Sequence, residues 1–274
     1  MNPAATGRVA RLTRYPVKAC GGEALQVCDV GTAGLRNDRV LAVVVDDGIV
    51  TQREFATLAR VRPVLDDATG RLTLSCEGVA TVADRVGTDG PSREVTLFGE
   101  PVAVVEQPDD LSDWFTRLLG RSARLVGAPE TTRRATPGLV AGETVLSDEG
   151  SVSLHSQASL DRLNAALADQ GLPPVPADRF RANLVLDGWA AHAEDEASRF
   201  EVGEVVLGFG CPDVRCVVTT VDQTAGARSG PEPLRTLADY RRDGSGGVCF
   251  GVYAAVVAPG RVRVGDPVKL VPRS

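Results

Sequence analysis

What most restricts this 274-residue chain is a crowd of short β-type segments between turns rich in Gly and Asp, with little room left for helix. Apolar and β-branched runs at 8–14, 24–30, 39–46, 61–65, 71–76 and 94–105 are punctuated by turns such as Gly21-Gly22 and Asp46-Asp47-Gly48, the pattern of a sheet or barrel. One helix stands out at 109–120. There Leu111, Trp114, Phe115, Leu118 and Leu119 share a helical face, and Asp109 or Asp110 is placed to cap it. A strand near 123–126 closes this half. Residues 128–150, rich in Pro, Gly, Thr and charge, read as an ordered linker or a site loop. Beyond them a helix at about 157–168 follows Ser156 as its cap, and strands return at 181–187, 200–208, 215–221, 248–257 and 261–271, with a short helix around 233–241. Two halves of this kind predict barrels with a few helices rather than a doubly wound α/β fold, in which strands would alternate with helices. The expected domains are 1–127 and 128–274.

Charge removes several function classes. Asp and Glu outnumber Lys and Arg by 36 to 30, a net charge of −6, whereas holding a nucleic-acid backbone needs a basic face. No apolar stretch near the start suits a signal peptide and no run reaches the ~18 residues of a membrane span, so the expectation is a cytoplasmic protein with no membrane partner. Only Lys18 and Lys269 are lysines, and anion binding therefore falls largely to arginine, whose planar fork suits phosphate. The six cysteines are dispersed without a CxxC pair, which argues against a zinc ribbon or an iron–sulfur cluster, and two histidines exclude a histidine-rich metal site. No GxGxxG or GxxxxGK[ST] loop follows a strand, which removes the usual nucleotide sites.

The segment Arg215-Cys216-Val217-Val218-Thr219-Thr220-Val221-Asp222 places a cysteine at the head of a β-branched run, after a guanidinium and a Pro212-Asp213 turn. A cation or metal beside such a cysteine favours the thiolate, the form that acts as ligand or nucleophile. The alternative is a small core hydrophobe. Asp213 either shuttles protons at such a site or closes the turn. His155 and His192 are candidates for proton delivery or for ordinary structural hydrogen bonds.

Taken together, collinear blocks over about 250 residues resemble a known family. Tyr15-Pro16-Val17-Lys18, Gly34-Leu35 with Asp38-Arg39, and Thr51-Gln52-Arg53 are similar to the MOSC N-terminal β-barrel domain. Ser156 with Ser159-Leu160, Arg179-Phe180-Arg181-Ala182-Asn183, Glu194-Asp195, Arg215-Cys216 with Thr219 to Asp222, Phe250 to Tyr253 and Val264-Gly265-Asp266 are similar to the MOSC domain. The architecture resembles the mitochondrial amidoxime reducing component and its bacterial relatives. That resemblance implies a molybdenum cofactor (Mo-molybdopterin) between two β-barrels, with Cys216 as metal ligand. It further implies that Lys18, Arg39, Arg181 and Arg215 surround the pterin phosphate, with Ser156 and Asn183 as further contacts; guanidinium–phosphate pairs are charge-assisted and often bidentate. Where the family often has serine, Ala19 stands here, so a hydroxyl donor is lost and a backbone N–H or Gly21-Gly22 would have to approach instead. The implied activity is reduction of N-hydroxylated small molecules at Cys216; Asp213, three residues before it, is the catalytic candidate for moving protons there. Electrons would come from a separate donor protein of iron–sulfur, flavin or haem type. The alternative is a carrier or sulfur-transfer module, because MOSC domains also occur in molybdenum-cofactor sulfurases.

Overall fold

The computed structural model describes residues 6–273, folded as two β-barrels. In the larger, the hydrogen-bonded order runs Leu184–Asp187, Val152–Ser156, Cys249–Ala258, Val205–Val214, Ala197–Val202, Pro267–Pro272 and Thr6–Arg14, and the last strand pairs back to the first to close the ring. Alternation along Thr6–Arg14 shows why it belongs there. Val9 and Leu12 point into an apolar core with Phe200, Val202, Leu207, Val252 and Val268, while Arg8 and Arg11 stay exposed. The smaller barrel is made of Ser92–Leu97, Glu100–Glu106, Arg124–Gly127, Leu41–Val45 and Gly48–Ile49, and an antiparallel meander, Arg62–Leu65, Arg71–Cys76 and Val79–Arg85, completes this part of the molecule. Helix Asp109–Leu119 packs Leu111, Trp114 and Phe115 into that core and ends where Gly120 turns left-handed at φ 65°. Its N-cap is Pro108, and Asp109 and Asp110 instead occupy the first turn, where their charges meet the positive end of the helix dipole.

The stretches on either side of residue 127 interlock. Thr6–Arg14 sits between two strands of the later sequence, and Val27–Gly31 pairs with Gly260–Arg263. Arg14 clamps its strand of the larger barrel to the meander of the other part: only 2% exposed, it donates to Glu23 Oε2 at 2.7 Å, Asp67 Oδ1 at 2.6 Å and the Leu65 carbonyl at 2.7 Å.

Several expected strands are cut by left-handed residues. The 200–208 segment breaks at Gly203 (φ 55°), 261–271 at Gly265 (φ 91°), and 94–105 folds into a hairpin at Phe98-Gly99. The 181–187 strand starts only at Leu184, because a 3-10 turn, Ala177–Phe180, leads into Arg181 at φ 52°. No strand spans 215–221. Val217–Thr220 winds into a 3-10 turn, in which the Thr219 and Thr220 hydroxyls donate to the carbonyls of Cys216 (3.0 Å) and Val217 (2.7 Å) three residues back. That local bonding outcompetes the β preference of the Val-Val-Thr-Thr run. The helix after Ser156 forms as expected, over Gln157–Asp169, with Ser156 Oγ accepting from the Ser159 N–H at 3.0 Å.

Candidate active site

A cavity of about 350 Å³ lies where the two barrels meet. Cys216 stands in its wall, just past the end of the Val205–Val214 strand and not at the head of one; its extended backbone (φ −108°) caps the 3-10 turn that follows. The thiol is held from the other half of the chain, since Arg53 Nη2 donates to Cys216 Sγ at 3.2 Å. Arg215 is fixed more firmly. Its Nε donates to the Phe250 carbonyl at 2.8 Å and Nη1 to the Phe180 carbonyl at 2.9 Å, while Nη2 lies 2.6 Å from Asp213 Oδ2 in an ion pair whose angle leaves no well-formed hydrogen bond. Ser153 Oγ donates to the same Asp213 oxygen at 3.1 Å. Burial pushes the Asp213 carboxyl up to about 7, with Arg215 pulling the other way.

Opposite this group, the Tyr15 ring is flanked by two guanidiniums, that of Arg39 at 4.6 Å and that of Arg181 at 4.4 Å. Arg39 pairs with Asp38 and donates to Asn183 Oδ1 (3.2 Å) and the Arg181 carbonyl (2.9 Å). Arg181 Nη1 donates to the Cys20 carbonyl at 2.5 Å, and burial holds its guanidinium below the usual arginine range. Lys18 donates to the Leu146 carbonyl at 2.8 Å and pairs with Asp148; burial lowers its ammonium in spite of that carboxylate.

Six basic side chains, Lys18, Arg39, Arg53, Arg179, Arg181 and Arg215, line the cavity against three acidic ones, Asp148, Glu149 and Asp213. Four of the cations have carboxylate partners in Asp148, Asp38, Asp222 and Asp213. Among the described residues Arg53 and Arg181, both half-buried, pair with none, and cations left in this state fit an anionic ligand. One thiol beside them suits a soft metal that brings most of its own ligands; no cluster of three or more His, Cys, Asp or Glu placed to hold a metal occurs among the described residues. A cofactor combining a sulfur-bound metal with a phosphate meets both conditions.

Of the residues expected from the sequence, Lys18, Arg39, Arg181, Asp213, Arg215 and Cys216 converge on this cavity. Ser156 and Asn183 do not line it. Ser156 is fully buried as a helix cap, and Asn183, 1% exposed, accepts from Arg39 and the Ser153 N–H and donates to the Thr13 carbonyl, tying strands together behind the wall. Gly21 and Gly22 pack against Val61, Arg62, Thr13 and Tyr15 and leave Ala19 alone on the wall, its backbone at φ 67°. His155 and His192 are also outside the cavity wall, and all six cysteines are free. Arg53 was legible only as part of Thr51-Gln52-Arg53. Tyr253 likewise was legible only within the Phe250 to Tyr253 block; Ser153, Asp148 and Phe98 carried no local signal, although the 128–150 segment read as a site loop does deliver Asp148.

The two barrels and the thiol-bearing, cation-lined cleft between them define a class: the chain matches the family models of the MOSC N-terminal beta barrel domain over residues 6–122 and of the MOSC domain over 141–269, and it belongs to the MOSC family. It is 30% identical to mitochondrial amidoxime-reducing component 1 of Mus musculus over 97% of this chain and 82% of that protein. With mitochondrial amidoxime reducing component 2 of Rattus norvegicus the identity is 32%, over 96% of this chain and 82% of that protein. A molybdenum cofactor sulfurase of Oryza sativa subsp. japonica is 30% identical over 87% of this chain, which spans 31% of that longer protein. Among the described residues, no helix is long and apolar enough to cross a membrane.

Proposed function

We propose that this protein is a molybdenum-cofactor oxidoreductase that reduces N-hydroxylated compounds, amidoximes and hydroxylamines among them, to the corresponding amidine or amine. The observation that carries the reading is the Cys216 thiol in a wall between barrels, in contact with the Arg53 guanidinium, which pairs with no carboxylate among the described residues. The names of the amidoxime-reducing relatives supply the reaction. Cys216 would be the protein ligand to molybdenum, and Arg181, Arg39, Lys18 and Arg215 would hold the pterin phosphate. The cofactor, when bound, supplies a metal able to take up oxygen in a two-electron exchange.

The chain's own residues do the rest. Arg215, locked by two main-chain carbonyls, fixes the peptide leading into Cys216 and so the direction of the thiol. Asp213, titrating near neutrality on the same wall, exchanges protons with the substrate oxygen. The overall change is R–N–OH plus two electrons and two protons giving R–N–H and water. A separate donor protein, of iron–sulfur, flavin or haem type, provides the electrons.

The test is expression in a host that makes molybdenum cofactor, with metal analysis of wild type and Cys216→Ser and turnover of benzamidoxime by reduced viologen. Wild type should carry close to one molybdenum per chain and turn over, and Cys216→Ser should lose both. Equal molybdenum in the two proteins would remove Cys216 as anchor. Similarity to the rice cofactor sulfurase favours a second reading, a non-redox carrier of cofactor or sulfur, and full loading without turnover would select it.

A further inference from the structure

The hairpin joining Ser92–Leu97 to Glu100–Glu106 pairs Leu97 with Glu100, so its loop is two residues long, Phe98-Gly99. Both have positive φ, 54° and 86°, which is the requirement of a type I′ turn. The favoured first residue there is Asn, Asp or Gly, because a bulky side chain crowds its own backbone in the left-handed region. A phenylalanine in this position satisfies no need of the turn. Nor does it serve the core, since the residue is 52% exposed. The ring instead projects into the cleft, where the Lys18 ammonium lies 5.0 Å and the Arg53 guanidinium 5.6 Å from its centroid. Both cations belong to the site described above, and Arg53 is the one that touches Cys216.

A second apolar side chain meets the same cavity. Val214, 45% exposed, stands at the end of the strand that leads to Cys216, on the larger barrel, whereas Phe98 comes from the smaller one. Large apolar residues left half-exposed at a cavity are spent on neither folding nor solubility. Backbone strain that the fold does not use is a pointer to ligand contact. The deeper wall is cationic and suited to an anionic cofactor, and an aromatic ring beside it offers a flat surface for something neutral and planar.

We propose that Phe98, together with Val214, forms an apolar subsite at the cleft that takes the aryl ring of an N-hydroxylated substrate and so sets its preference for aryl over small alkyl compounds. This rests on the reading of the cleft as a substrate site, and the experiment separates the two. Binding of benzamidoxime and of acetamidoxime, in which a methyl replaces the ring, is measured calorimetrically on the oxidised, molybdenum-loaded full chain as wild type, Phe98→Asn and Phe98→Tyr. Wild type should prefer benzamidoxime. Phe98→Asn should weaken it by roughly three- to tenfold, the scale of one aromatic pairing, and leave acetamidoxime within about twofold. Phe98→Tyr should bind as wild type does. Because Asn suits the turn, the melting temperature of Phe98→Asn should equal or exceed that of wild type. Equal weakening of both ligands, unchanged benzamidoxime binding, or no aryl preference in wild type would overturn the subsite. A fall in molybdenum content in Phe98→Asn would also overturn it, by assigning the ring to the cofactor. No turnover is needed for any of these readings, so failure to reduce benzamidoxime would count against the reductase alone.

Discussion

His155 lies within the strand Val152–Ser156 with none of its surface exposed, packed at 5.1 Å from the Phe250 ring and 6.0 Å from that of Phe180. Its Nδ1 donates to the Ser156 carbonyl at 3.0 Å, which leaves Nε2 buried without a partner. Protonation would place a charge there, in an apolar setting and toward Arg215, and burial accordingly lowers the imidazole to about 4. In the unfolded chain the value returns to about 6.5. The unfolded state therefore binds more protons between these limits, so stability is full above about pH 6.5, is lost as pH falls, and loses nothing more below about 4. Between pH 7.5 and 4.5 this one group should remove about 2.5 kcal/mol. Urea unfolding of wild type and His155→Gln at both pH values checks it. His192, also lowered to about 4 by burial, acts in both proteins and cancels from the difference. The variant should show a fall in stability smaller by about 2.5 kcal/mol. An equal fall in both would refute the argument, and with it the view that the Phe180–Phe250 stack, whose carbonyls hold Arg215, excludes charge.

Arg14→Ala should cost about 3 kcal/mol in denaturant unfolding, at the low end for a broken buried pair because Asp67 can rehydrate, and a cost below about 1 kcal/mol would deny Arg14 its role as clamp. Asp213, protonated below about pH 7, should make kcat decline as pH rises through neutrality. In Asp213→Asn that decline should vanish and kcat should drop about a hundredfold, whereas an unchanged pH break would assign it to another group. Ala19→Ser adds a hydroxyl to the cleft wall without altering its left-handed backbone and should slow cofactor loss on gel filtration by several-fold, about the worth of one hydrogen bond; equal retention would mean that the hydroxyl points elsewhere.

The two-barrel character was legible because strand periodicity is local, as was the Ser156-capped helix. Strand ends were less so, since Arg181, Gly203 and Gly265 enter the left-handed region for reasons of tertiary course that composition does not announce. The 215–221 run misled for a definite cause: β-branched threonines favour a strand on average, yet their hydroxyls here bond backward and wind a 3-10 turn. At the site, Cys216 and four cations, Lys18, Arg39, Arg181 and Arg215, followed from motif resemblance, and Asp213 from its place three residues before Cys216. Ser156 and Asn183 belong to the same motifs but act behind the wall, because sequence proximity to a site does not fix which way a side chain points. Phe98 was invisible, as only the turn geometry shows that nothing local requires it.

The cleft's cations are held across the joint. Lys18 is fixed by Leu146 and Asp148, Arg39 by Asn183 and the Arg181 carbonyl, Arg181 by the Cys20 carbonyl, and Arg53 reaches Cys216. Each contact takes its donor from one half of the sequence and its acceptor from the other. Such an array exists only when the barrels are docked, so an anion bound by Arg53 and Arg181 would bind the docked state and no other. Docking also sets Arg181 of one half against Arg39 of the other across the Tyr15 ring, where the like charges oppose each other, and the same ligand would relieve that repulsion. Cofactor binding and closure of the interbarrel joint are thereby one equilibrium: a substitution that loosens Arg14, though outside the cleft wall, should weaken cofactor retention through the joint alone.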